Sequence, residues 1–99
     1  MENKEELENS SYLPVGSVVL LKGATQNVII IGFAPIEQGQ TKIWDYLGAP
    51  YPIGVISSDK NLLFNNEQID KVIAKGYSDD TEKLFRIEME KSLKTIKRN

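Results

Sequence analysis

Apolar residues recur along this chain in two different periods, and the change between them divides it. From Val18 to Leu21 every position is apolar, between Gly16 and Gly23, which predicts a short buried strand. A turn at 24–27 leads to Val28–Ile31, four β-branched residues in a row, then Gly32, Phe33, Ala34 and Pro35. This predicts a second strand through the core, with Gly32 marking a bulge or a close backbone approach. A polar tip around Gly39 returns the chain antiparallel. From Lys42 to Gly48 the pattern alternates, with Ile43, Asp45 and Leu47 on one side and Trp44 and Tyr46 on the other, as in a half-buried third strand. Proline has no amide donor, so the segment with Pro50 and Pro52 is expected to leave this strand at Gly48. It then runs extended along the sheet edge and turns at Gly54. Of Tyr46 and Tyr51, one is expected to point inwards and the other outwards. A polar loop and a short apolar piece, Leu62–Phe64, follow.

Residues 65–77 fit two templates. Ile69, Val72, Ile73 and Tyr77 fall at helical spacing, with Asn66 as a cap and Gly76 as a stop. The same residues also permit a strand entered through a turn at 65–68, and periodicity alone slightly favours the helix. From Asp79 onwards the pattern is helical. Asp79 can cap, Glu82 follows three residues later, and Phe85, Met89, Leu93 and Ile96 lie within about 80° on one face. Acidic residues open this segment and Lys91, Lys94, Lys97 and Arg98 close it, which complements the helix dipole. The chain is therefore expected to be one domain at 11–99, with a β core at 11–78 and a helix at 79–97. Residues 1–10, with four Glu and one Lys, read as a flexible acidic tail. The fold class expected is α+β: a small, mostly antiparallel sheet or SH3-like, partly open barrel of about five strands, then one amphipathic helix.

Composition narrows the chemistry. There is no cysteine and no histidine, so thiolate chemistry, the common zinc, copper and haem sites and the usual neutral-pH base are not expected. The glycines form no phosphate-binding motif, and Asp59 stands alone in its loop, unlike the acid clusters that hold calcium. Asp45 is the carboxylate to weigh. Inside a strand it could have a raised pKa, as catalytic acids do, but the simpler reading is that it accepts a local backbone or tyrosine hydrogen bond. No enzyme activity and no cofactor are expected. The net charge of −2 includes no large basic block, so nucleic acid is not an expected partner. The longest apolar run, Val28–Ile36, is too short to span a bilayer, and the N-terminal residues do not read as a signal peptide, so a cytoplasmic protein is expected. The aromatic residues are the better lead. Trp44, Tyr46 and Tyr51, with Phe85 and Met89 on the helix, are candidate partner contacts, because tyrosine and tryptophan join apolar area to a polar handle. Their alternative role is packing between sheet and helix. A homodimer through an edge strand or through the Phe85 helix is a further expectation.

Four segments in order, "YLPVGSVVLLKGA", "VIIIGFAPI", "WDYLGAPYPIG" and "LFNNEQIDKVIAKGY", resemble a small uncharacterised family of Gram-positive bacteria. That family is encoded in type VII (WXG100/LXG) secretion loci, close to LXG toxin genes. The resemblance spans about residues 12–77 and implies a non-enzymatic accessory protein, a chaperone or targeting factor for an LXG-type effector or its small helical partners. It brings no catalytic residues. It also favours strand over helix at 69–77, and strand is the reading adopted. An immunity protein that neutralises a cognate toxin is the alternative.

Overall fold

The computed structural model describes residues 10–36, 39 and 41–97, so the acidic stretch before Ser10 lies outside the described residues. Five strands form: β1 Val18–Leu21, β2 Val28–Phe33, β3 Tyr46–Pro50, β4 Leu62–Phe64 and β5 Ile69–Ala74. One helix, α1, spans Asp80–Lys97. The strands make a single sheet in the order β4-β3-β2-β1-β5, and every pairing is antiparallel. β4 and β5 end the sheet without meeting, so this SH3-like arrangement is open rather than a closed barrel.

The strands lie where the apolar runs predict, with informative shifts. In the β2–β3 pairing the register jumps between Ile30 and Gly32, which puts the bulge beside the glycine that signalled it. The third strand begins at Tyr46, later than the alternation at 42–48 implied, and Ile43 makes only an isolated bridge to Ile36. It also continues past Gly48 to Pro50. Tyr46, Leu47 and Gly48 pair on both sides, whereas Ala49 and Pro50 pair with β2 alone. Pro50 therefore stands where β4 asks for no amide donor, which reconciles a proline with an inner strand. The turn comes at Gly54, whose amide donates to the Pro50 carbonyl at 2.7 Å.

Residues 69–74 are a strand, not the helix that spacing alone favoured. A one-turn 3-10 helix, Asn66–Gln68, feeds it, and the Asn65 amide donates to the Gln68 side-chain oxygen at 2.8 Å. Gly76 ends no helix. A Cβ there would come within 3 Å of the Ser17 amide, so the glycine lets the chain pass against the start of β1. Gly48 is as constrained, because a Cβ would lie 2.5 Å from Val28 Cγ1 and 2.8 Å from Phe64 Cε1.

The core gathers Val19, Val28, Ile30, Tyr46 and Phe64 from one face of the sheet, with Tyr12 and Leu93 above them. The arm before β1 and helix α1 thus form the second layer. Rings run in contact from Phe85 through Phe33 and Tyr46 to Phe64, with centroid separations of 6.0, 6.0 and 5.3 Å, and Tyr12 packs edge-on against Tyr46 and Phe33. Asp79 caps α1 as its spacing predicts, with the Glu82 amide donating to its carboxylate at 2.9 Å.

Candidate protein-binding surfaces

The N-terminal end of β3 is a polar knot. Asp45 is buried in the bend before the strand. Its Oδ1 accepts from the Tyr12 hydroxyl at 2.7 Å, its Oδ2 from the Asn66 amide at 2.9 Å, and its own amide donates to Asn65 Oδ1 at 2.9 Å. Tyr46, next in sequence, donates from its hydroxyl to Asn66 Oδ1 at 2.6 Å and accepts from the Leu13 amide at 2.8 Å. The Asn66 side-chain amide completes the circuit by donating to the Ser11 carbonyl. Four segments distant in sequence are joined here: the arm, β3, the 3-10 turn and, through the arm, the helix. Burial pushes the Tyr46 phenol up to about 12; the Asp45 charge adds to the rise, and the Leu13 amide, Asn66 and Arg86 oppose it. Tyr12 is raised further, by burial and then by its hydrogen bond to the Asp45 carboxylate. With both oxygens engaged by a tyrosine and a backbone amide, Asp45 acts as a structural acceptor, the simpler of the two readings open to it.

Helix α1 docks through Leu93 and Met89 of its apolar stripe and also through polar residues that the stripe did not single out. Arg86 is almost completely buried. Its guanidinium forms a fork on Glu82, with Nε to Oε2 at 2.5 Å and Nη2 to Oε1 at 3.0 Å, and also donates to the Tyr12 carbonyl. Glu90 receives Ser10, the Ser11 amide and the Ser11 hydroxyl at 2.8–2.9 Å. Burial alone would raise the Glu90 carboxyl; the Ser11 and Ser10 donors and the Lys94 charge outweigh it and hold it below its ordinary value. At ~100° per residue, the docked face centres near Leu93 and Arg86, roughly 50° from the middle of the Phe85–Ile96 stripe. Phe85 is therefore left at the margin, more than half exposed, with its ring against Phe33. The Ile96 side chain lies outside the described residues.

The five candidate contact residues separate. Tyr46 has no exposed surface, so it is core and cannot meet a partner. Met89 is partly buried against the core. Trp44 is half-buried, with Lys42 Nζ 3.9 Å from its ring centre and no hydrogen-bond partner for Nε1 among the described residues. Tyr51 points outwards, 44% exposed. Trp44 and Tyr51 do not form one aromatic cluster, because the five residues of β3 put more than ~13 Å between them.

The strongest exposed apolar group is one the aromatic pattern missed. After β3 the chain makes the tip Tyr51–Ile56, in which Ile53, Val55 and Ile56 are each about 60% exposed. Leu62, at the start of β4, is also exposed. The Tyr51–Pro52 peptide is cis. The available signal was a stretch with no charge from Tyr46 to Ser58, broken by prolines and glycines that keep its apolar residues from folding back as regular structure. Exposed apolar residues grouped in this way mark a contact surface more often than scattered single ones do. Among the described residues, no three His, Cys, Asp or Glu side chains converge as metal ligands, and no helix is long and apolar enough to cross a membrane.

An open SH3-like sheet, covered on one face by an arm and a helix and carrying an apolar tip in solvent, defines a small α+β domain. The chain belongs to the family described as Domain of unknown function (DUF4176), which matches residues 12–85 of its 99. Comparison with curated proteins and with solved structures finds no match.

Proposed function

We propose that this domain is a non-enzymatic accessory factor that binds an LXG-type toxin of a type VII secretion system, or that toxin's small helical partners. It acts in the cytoplasm and helps deliver its client to the secretion machinery. The observation that carries the proposal is the tip at Tyr51–Ile56, where three aliphatic side chains and a tyrosine stand in solvent just past the end of β3. Covering each aliphatic side chain is worth about 1 kcal/mol, enough together to anchor an amphipathic client helix in the i, i+3, i+4, i+7 mode. The choice of client rests on the resemblance of the four segments to the secretion-locus family. Tyr51 belongs to this surface, while Trp44 and the Phe85 margin offer secondary contacts away from it.

Co-expression with an LXG-type protein, the client that the resemblance implies, tests the proposal. A complex that forms with the wild-type chain and is lost with Ile53→Asp/Ile56→Asp supports it. Absence of a complex when both proteins are folded counts against it. Binding confined to the toxin's C-terminal domain would replace delivery with immunity.

A further inference from the structure

We propose that β5 pairs antiparallel with β5 of a second copy of this chain, about a two-fold axis at Val72. The two edges of the sheet are unequal. β4 has three residues and ends at the buried Phe64, whereas β5 has six and no strand on its outer side among the described residues. Val72 and Ile73 are 49% and 51% exposed, although both belong to the sheet. A long edge with β-branched residues in solvent is a template for strand addition.

Charge selects the occupant and the register. In a two-fold antiparallel pair, a residue on the axis faces its own copy and the others face each other symmetrically. An axis at Asp70 or at Lys71 sets like charges directly opposite, and an axis at Ile73 sets Lys71 opposite Lys75. Each of these is destabilising. With the axis at Val72, Val72 meets Val72, Lys71 meets Ile73, Asp70 meets Ala74 and Ile69 meets Lys75. This register spans the whole strand with no like-charge pair opposite, and it lays the aliphatic Lys71 stem over the exposed Ile73. The pairing of β5 with β1 skips Asp70 and Ile73, so bulges bend the strand on either side of Lys71–Val72. They shorten the straight part of the contact, so the association is weak and depends on concentration.

The chain has no cysteine, so a single introduced cysteine reports the register. At the axis, facing Cα atoms lie about 4.5–5.5 Å apart, inside the disulfide range of about 4.4–6.8 Å. Two copies of residue 74 are offset by four residues, about 14 Å, and cannot be bridged. Mild oxidation of the full chain is expected to link Val72→Cys into a dimer at least about tenfold more efficiently than Ala74→Cys or Phe85→Cys. Light scattering on the unmodified protein is expected to show mass rising from monomer towards dimer with concentration, and Val72→Asp to remain monomeric with an unchanged circular dichroism spectrum. A monomeric mass at every concentration would overturn the proposal, as would cross-linking that peaks at residue 85.

Discussion

Strand β3 begins in one kind of surface and ends in another. At Tyr46 the hydroxyl is committed both as donor and as acceptor and the ring has no exposure, while a few residues on, past Pro50, aliphatic side chains stand in water. The first region joins the arm, the 3-10 turn and the sheet, and stability is concentrated there. The second stands largely in solvent, so its side chains are expected to add little to the fold. Chemically similar side chains thus do different work according to what the backbone around them allows.

The contrast is sharpest for substitutions of comparable size. Tyr46→Ala removes a fully buried ring and is expected to destabilise by about 3–5 kcal/mol in urea unfolding, whereas Ile53→Ala changes stability by no more than about 0.5 kcal/mol. Arg86→Leu removes the fork on Glu82, which keeps the Ser78 hydroxyl as a side-chain donor, and the guanidinium donor to the Tyr12 carbonyl. It should lower stability by about 2–4 kcal/mol and loosen the arm, which amide exchange at Leu13 would report. Tyr46→Phe keeps the ring and orphans the Leu13 amide, for a loss of about 1–2 kcal/mol; Tyr51→Phe should be neutral.

Two pH effects extend the series. The raised Tyr46 pKa means that the native state holds this proton more tightly than the unfolded chain does. Its contribution is complete below pH 10 and is lost as pH rises from 10 towards about 12. Tyr46→Phe should flatten that alkaline decline, and an identical decline in the variant would remove Tyr46 as its source. Glu90 has the opposite sign. Its depressed carboxyl contributes above its ordinary value of 4.5, and the contribution fades as pH falls through the lower native value. Because the site is partly exposed and screened, Glu90→Gln should cost at most about 1 kcal/mol at pH 7, with the gap to wild type closing in acid.

Much of the fold was legible because its signals are local. Four consecutive β-branched residues, a glycine beside a bulge and an aspartate three residues before a glutamate each act within a few positions. Strand β5 was harder, since Ile69, Val72 and Ile73 satisfy both periods. As a strand it pairs with β1, about fifty residues earlier, after a turn that Asn65 and Asn66 tie to Asp45 across about twenty residues. Arg86 was illegible for a related reason. An arginine inside an amphipathic helix reads as solvent-facing, and besides its local fork on Glu82 its burial is satisfied by the carbonyl of Tyr12, 74 positions earlier. The candidate contacts were read from residue type, and of these Tyr51 and Phe85 are exposed. Residue type also promoted Tyr46, whose hydroxyl is satisfied inside, and passed over Ile53, Val55 and Ile56, whose exposure follows from the turns around them.

The most direct test of this division between a folding end and a proposed binding end is one variant read twice. Ile53→Asp/Ile56→Asp should unfold in urea within about 1 kcal/mol of wild type, yet lose at least about tenfold in affinity for the co-expressed LXG client. A variant that keeps its affinity, or that unfolds, would contradict the account.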